Sequence, residues 1–446
     1  MKNIIERRDF LRNMAFSAAG LLSSQKLLWA VGEDADGKPF SVTAFPYGTL
    51  EQLAGKKIKD ILEFHKKELK EEYIPFFENK RIDWQHGGYL HEFNEDGTHV
   101  PYKEMYYQGR GLWVHGYLVN NFSVSDKFKK SLIKSRDLLV QNGLDENGYW
   151  VSKISADDGK PLEPSTNIYG DIYMILGLTQ TYLATKDERD IDLAIQTAYK
   201  VTERIVNPAY QHLAGHGAAN IPGTKRLGTW VHFLSAITPL LKVRKDEGVD
   251  RIAQMCAHNI LNYHWQPGLR VYLEYLDHQF KPFPPNPVLN NRFISAWHSV
   301  QAAFVVMDEA LRLGHAPMFR DAMETGISTL EICWLDKRGL VSLDNPEMKP
   351  SSEGSLVEWW GMLDDILVFC LLALEHNHET LAIKYYDKAF ELGYSHPEKW
   401  RKPSPYPGGQ RGMFHHPRRL FYSIEILERI VAHDGKPSNF LETAAR

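Results

Sequence analysis

Most of the chain alternates between apolar stretches that recur with a helical period and short runs that alternate as strands do. In "IKDILEFHKKELKEEYIPFF", "FKKSLIKSRDLLVQNG" and "FRDAMETGISTLEICW", apolar residues fall at i, i+3, i+4 and i+7, the stripe of an amphipathic helix. Between pairs of such segments sit "GGYLHEF", "GYWVSKI", "RVYLEYL" and "GLVSL". These are rich in β-formers but too short and scattered for one sheet, and they predict small hairpins in the loops. More uniformly apolar helices are predicted to begin near Met105, Thr166, Arg226, Arg292, Leu356 and Phe414, about 60 residues apart, a repeat signal. "YMILGLTQTYLA" is apolar nearly all round, whereas the "DLAIQTAYKVTERIV" that follows has one apolar face. Helices apolar on most sides are buried, and amphipathic ones are half solvated. Six inner helices alternating with outer ones, counting the early helix around Lys56–Phe77, predict an all-α fold: a closed (α/α)6 barrel, or toroid, with short β-hairpins in its loops.

No Pro/Gly/Ser-rich linker interrupts the stretch from about Lys56 to Ile430, which argues for one unit. The expected division is a leader at 1–30, an extended segment at 31–54, the barrel catalytic domain at 55–435 and a tail at 436–446. The leader has a basic start, a mildly apolar stretch from Met14 to Leu22 and a small residue, Ala30, as a cleavage point. Its "RRDFL", with Arg7, Arg8, Phe10 and Leu11, resembles a twin-arginine export signal, although Glu6 stands where Ser or Thr is usual. Export of the folded protein to the periplasm, or another site outside the cytoplasm, is the expectation.

Composition narrows the partners. A formal charge of -4 over 446 residues gives no basic footprint for nucleic acid. No apolar run reaches the length of a membrane span, so no membrane insertion is expected once the leader is removed. Cys256, Cys333 and Cys370 are odd in number and sit in apolar surroundings, which suits core positions rather than a disulfide frame. Aromatic residues make up 12% of the chain; their first use is core filling, and their second is stacking on sugar faces.

In such a ring the inner helices run the same way, so their N-terminal ends, with unpaired N–H groups and positive dipole ends, share one mouth. The residues at those ends are Arg110 in "YYQGRGLW", Tyr169 and Asp171 in "NIYGDIY", and Trp230 and His232 in "GTWVHFL". They continue with His298 and Gln301 in "AWHSVQAAF", Trp359 and Trp360 in "VEWWGMLDD", and Phe414 and His415 in "GMFHHPRR". Each histidine alone would be read as structural; their recurrence at equivalent points of the repeat favours a site. Three histidines can hold zinc, but these lie on different helices with no H-E-x-x-H spacing, so a metal site stays open only as the lesser reading. A pair of imidazoles suits proton transfer, because one ring can start as base and the other as acid near neutral pH. Arg110 would then stabilise an enediolate oxygen.

These residues resemble the N-acylglucosamine 2-epimerases, a family that includes cellobiose 2-epimerases and aldose–ketose isomerases. The resemblance runs from "DWQHGGYLHEFNEDG" to "HHPRRLFYSIEIL". The family pattern K-x-x-W-x-Q-x-R falls on Lys103, Tyr106, Gln108 and Arg110, and G-H-x-I-E-x-x-W falls on Trp297, His298, Val300, Gln301 and Phe304. G-P-[YF]-H-x-x-R falls on Gly412, Met413, Phe414, His415 and Arg418, and a tryptophan pair on Trp359 and Trp360. The resemblance implies cofactor-independent epimerisation or isomerisation of a reducing sugar through a cis-enediolate. It casts His415 as the C2 base, His298 as its acid/base partner, His232 as a substrate or intermediate contact, Arg110 as an oxygen holder and His416 as a rim residue. The partner would be a small sugar or short oligosaccharide, with homodimer formation left open. Five departures stand out: Gln301 replaces the usual Glu, Gly228 an Asn, Gln410 a sugar-stacking Trp, Met362 a Gln and Asp364 a Glu. Two alternatives compete. One is glycoside hydrolysis or polysaccharide elimination, for which Asp171, Glu358, Asp364 and Asp365 supply carboxylates; the other is a sugar-binding relative without catalysis.

Overall fold

The structure is a computed structural model that describes residues 48–94, 97–211, 221–283, 294–335, 339–344, 360–377, 380–394 and 412–443. Trp359, Glu358, Gln410 and the leader lie outside the described residues. The first helix, α1 (Ile58–Lys67), passes through a π-helical turn at Glu68–Tyr73 into α2 (Ile74–Lys80). Pairs then follow: α3 (Met105–Asn121) with α4 (Asp126–Asn142), α5 (Ile168–Thr185) with α6 (Glu188–Val206), and α7 (Leu227–Val243) with α8 (Glu247–His258). Next come α9 (Ala296–Leu313) with α10 (Ala316–Cys333), α11 (Trp360–His376) with α12 (Thr380–Tyr394), and finally α13 (His415–Ala432).

The odd-numbered helices from α3 onward form the inner ring. In α3, α5, α7 and α9 nearly every residue of the first three turns is buried, as expected of helices apolar all round. The outer α6 and α8 bury one stripe, Ile191, Ala194, Ile195, Ala198 and Val201 in the first case. Consecutive inner helices pack side by side, α3 on α5, α5 on α7, α7 on α9, α9 on α11 and α11 on α13. Aromatic side chains close the circle. Trp113 of α3 meets Phe414 and Phe421 with ring centroids 5.3 and 5.6 Å apart, and Tyr117 stacks on Phe421 of α13 at 4.1 Å. Together these contacts make an (α/α)6 barrel. Its outer layer begins with α1, which packs on α13.

The tightest inner crossing is α3 on α5. A Cβ at Gly109 would lie 2.5 Å from the carbonyl carbon of Tyr173, and one at Gly177 would lie 2.9 Å from the oxygen of Gly109. Only glycine admits such an approach, and the approach sets Arg110 directly against Tyr173.

The short strands are not all local hairpins. β1 (Tyr102–Glu104), β2 (Lys153–Ser155) and β3 (Pro161–Glu163) form an antiparallel sheet of three. The residues of "RVYLEYL" divide between two partners: Val271–Tyr272 pairs with Trp265–Gln266, while β5 (Tyr275–Leu276) pairs with the distant β4 (Lys225–Arg226) just before α7. "GGYLHEF" contributes isolated bridges, Ile82 with Tyr89 and Phe93 with His99. Cys256, Cys333 and Cys370 are buried free thiols.

Gly109→Ala should overpack the α3–α5 crossing and cost about 1–3 kcal/mol, read as a lower urea midpoint. Gly170→Ala is the control: its Cβ would find nothing nearer than 3.4 Å, and alanine favours the helix. Equal midpoints for the two variants would contradict the packing argument.

Candidate functional site

The inner helices bring His232, His298, His415 and Arg110 together within their first two turns. His232 and His298 face each other at right angles with ring centroids 5.8 Å apart. Each keeps 6% of its surface exposed, so both rings are reachable yet largely desolvated. Tyr169 and Tyr173 of α5 pack edge-on against His232 at 5.2 and 5.8 Å, and Trp297 packs against His298 at 5.5 Å. His415 opens α13 beside Phe414, at 5.4 Å, and feels the charges of Arg418, Arg110, His232 and His298.

Arg110 sits within a box of aromatic rings. Its guanidinium carbon lies 4.0 Å from the centre of Tyr106, 4.2 Å from Tyr173 and 4.6 Å from Phe414. Cation–π attraction in this box holds the charge without neutralising it. One N–H donates to Tyr173 Oη at 2.6 Å, while Nε has no hydrogen-bond partner among the described residues. Deeper in the bore a cavity of about 230 Å³ is lined by Trp113, Tyr117, Phe304, Phe414, Arg418 and Tyr422 among others.

Each imidazole has a distinct proton arrangement. His232 Nδ1 lies 2.5 Å from the carbonyl oxygen of Gly228; a carbonyl only accepts, so Nδ1 carries the proton. His298 Nδ1 lies 2.9 and 2.8 Å from the two oxygens of Glu274. Glu274 is fully buried and also accepts from Arg226 Nε at 2.8 Å. Burial would raise its pKa, but His298 in its protonated form, the Arg226 guanidinium and the hydrogen bonds from both bring it down to about 2, so it is an anion. His415 Nδ1 faces a guanidinium N–H of Arg418 at 3.3 Å; a guanidinium only donates, so this nitrogen accepts. Arg418 itself pairs with Asp365, whose carboxyl burial pushes up to about 6 despite that partner.

Two of the rings are held neutral. Burial, then the repulsion of His298 whenever that ring is protonated, lowers His232 well below the ordinary imidazole value. Burial, then Arg418 and Arg110, does the same to His415.

The other candidates fall elsewhere. Asp171 lies on the face of α5 away from His232, where its Oδ1 accepts from Trp150 N at 3.2 Å and pairs with Arg204 of the outer α6 at 3.3 Å. Trp230 is 1% exposed and stacks on Phe280 beside Lys225 rather than facing the histidines. Gln301 is buried, and its Nε2 has no partner among the described residues. Trp360 is the first residue of α11. His416 is not a rim residue: it is 3% exposed and lies 3.1 Å from Arg419, in a buried cluster with Glu68 and Asp364. Asp364 thus faces the outer layer, as Asp171 does, so neither carboxylate meets His232, His298 or His415. Sequence reasoning passed over Glu274, Arg226 and Tyr173. The signal for Glu274 was a lone acid inside the apolar "RVYLEYL", read there only as a strand.

Fold and site define a class: an (α/α)6 barrel whose bore carries imidazoles and an arginine from separate repeats. The family model for N-acylglucosamine 2-epimerase (GlcNAc 2-epimerase) matches residues 87–404. The chain belongs to that family and is accordingly a carbohydrate epimerase or isomerase. It is 22% identical over 346 residues to a cellobiose 2-epimerase of Dictyoglomus turgidum, a match covering 73% of this chain and 83% of the relative. The fold is similar to that of cellobiose 2-epimerase from Spirochaeta thermophila, at TM-score 0.68 and 16% identity, covering 84% of this chain and 98% of that one. It is also similar to a D-mannose isomerase, at TM-score 0.64 and 13% identity, covering 87% of this chain and all of that one, 100%.

Because burial and neighbouring cations favour the uncharged ring, protonating His232 or His415 needs a pH below the ordinary 6.5. In an imidazole NMR titration, assigned by His→Gln variants, both should remain neutral at about pH 6, where an exposed histidine is mostly charged. Ordinary titration of both would contradict the electrostatic description.

Proposed function

We propose that the bore abstracts and returns the proton at C2 of a reducing sugar without a cofactor, through an enediolate. The carrying observation is the convergence of three imidazoles with different proton arrangements on one arginine whose Nε has no partner among the described residues. The open-chain aldehyde would lie with O1 toward Arg110. A base takes the proton from C2, the electron pair forms the C1=C2 bond, and O1 becomes an oxyanion beside the guanidinium. A fixed donor at the point where charge develops lowers the barrier without reorganising. The aromatic box around Arg110 keeps water away, which strengthens that interaction. His232 and His415, held neutral, exchange hydrogen bonds with the sugar hydroxyls.

The carboxylate chemistry of glycoside hydrolysis finds little support, because Asp171 and Asp364 are committed to arginines away from the histidines. Export by the leader remains part of the proposal, and the sugar would then be met outside the cytoplasm.

Incubation with a panel of reducing sugars in D2O should place deuterium at C2 or C1 of one of them. His298→Ala should slow that exchange at least about 100-fold, the usual worth of acid–base catalysis, and His415→Ala, which removes a hydrogen bond to the sugar, should slow it as well. No exchange with any sugar, or unchanged exchange in both variants, would refute the reading.

A further inference from the structure

The enediolate can return to two products, the 2-epimer or the ketose, and the hydrogen bonds around the three imidazoles bear on which. Inversion at C2 needs a base on one face of the sugar and a protonated acid on the other. Transfer of the carbonyl from C1 to C2 needs one base that gives its proton back on the same face. The number of imidazoles able to carry a positive charge therefore separates the two reactions.

Three features surround His298 and set it apart. Its Nδ1–H is held by both oxygens of Glu274, which leaves Nε2 as the exchanging nitrogen. Glu274 is fixed by Arg226 Nε and by position, since β4 and β5 pair Arg226 with Tyr275 and Leu227 N donates to the Glu274 backbone oxygen at 2.8 Å. Gly228 supplies the space: a Cβ there would lie 2.6 Å from His298 Cε1, so any side chain would push the ring off its seat. The same glycine's carbonyl oxygen orients His232.

Neither of the other rings has such support. Among the described residues no carboxylate contacts His232 or His415. His232 has a backbone carbonyl, and His415 accepts from the cation Arg418. Asp365, the buried acid beside them, is already paired with Arg418, so a second imidazolium there would have no carboxylate of its own in contact, and low-dielectric surroundings disfavour such a charge.

We propose that Glu274, fixed by Arg226 and given room by Gly228, is the positioning residue that makes His298 the single base of the bore, so that the enzyme interconverts an aldose bearing a free 2-hydroxyl with its ketose rather than inverting C2. This rests on the proton chemistry proposed above and names its product. His298 Nε2 takes the proton from C2, and the pair forms C1=C2 as the carbonyl electrons move to O1. The O2 hydroxyl proton passes to O1, the O2 electrons form C2=O, and His298 returns its proton to C1 on the same face. Every atom is accounted for without a co-reactant. A 2-acylamino sugar lacks the O2–H that this route requires and is not a substrate for it. The expectation that His415 is the C2 base is thereby reversed: its Nδ1 accepts from Arg418, so the neutral ring presents Nε2–H as a donor.

The test combines product analysis with Glu274→Gln. Aldohexoses with a free 2-hydroxyl, including D-mannose and D-glucose, are incubated in D2O and the products resolved by NMR. The expected product is the ketose, with less than one deuterium per turnover at C1 because part of the proton is carried internally. Glu274→Gln should lower kcat by about 10- to 1,000-fold with KM within about threefold, and Glu274→Asp should recover part of the loss. A 2-epimer labelled at C2, with no ketose, would overturn the single-base assignment while leaving C2 proton chemistry standing. A kcat in Glu274→Gln within about threefold of the parent would overturn the role of Glu274. If that variant fails to fold, Gly228→Ala keeps the carboxylate but displaces the ring, and the same kcat loss at constant KM is required. If no sugar exchanges at all, the proposed function falls separately. The downfield Nδ1–H resonance of a carboxylate-bound His298 then decides whether Glu274 holds that ring, its absence counting against.

Discussion

Burial of several ionisable side chains in one narrow bore is the constraint on which the chemistry of this barrel depends. Removal from water favours the uncharged imidazole, and Arg110 and Arg418 add positive charge to the same space. His232 and His415 respond by staying neutral. Arg110 is surrounded by the faces of Tyr106, Tyr173 and Phe414, with no carboxylate in contact among the described residues. Among the described residues Glu274 is the carboxylate in contact with one of the three bore histidines, and it enters from a strand pair outside the inner ring. Where positive charge can be tolerated in the bore is therefore decided by a loop element, not by the helices that carry the imidazoles.

A second buried ionic layer stands behind α13. Glu68, from the π-helical turn, pairs with Arg419 at 3.0 Å, and Arg419 Nε lies 2.7 Å from Asp364. His416 and Tyr394 complete the cluster. Breaking such a buried network strands a charge, at a cost of about 3–5 kcal/mol. The cluster thus ties the first turn of α13, and with it His415, to α1 and α11. The adjacent histidines of "FHHPRR" divide their work accordingly: His415 faces the bore, and His416 anchors the helix that presents it.

Much of the fold was legible because its cause is periodic. Inner helices predicted near Met105, Thr166 and Arg226 begin at Met105, Ile168 and Leu227, since apolar composition all round requires burial on every side. The histidines were legible because the repeat places equivalent positions at one mouth. Asp171 and Trp230 were legible only as to helix: one or two residues of offset turns a side chain by 100–200°, from the bore to the outer layer. Glu274 and Arg226 were missed for a different reason. Their meeting depends on the pairing of β4 with β5 across about fifty residues, and local patterning carries no information about such a partner. Gly228 looked like a lost asparagine, whereas the space it leaves is filled by the His298 ring.

The central claim is that imidazoles from separate repeats flank one sugar carbon. It is tested most directly by a crystal structure with an acyclic sugar alcohol, which resembles the opened substrate but cannot react. The account predicts C2 within about 3–3.5 Å of His298 Nε2, the separation of a reactive contact, with O1 on Arg110 and His415 on a hydroxyl. An alcohol bound outside the bore, or with C2 remote from all three histidines, would contradict it.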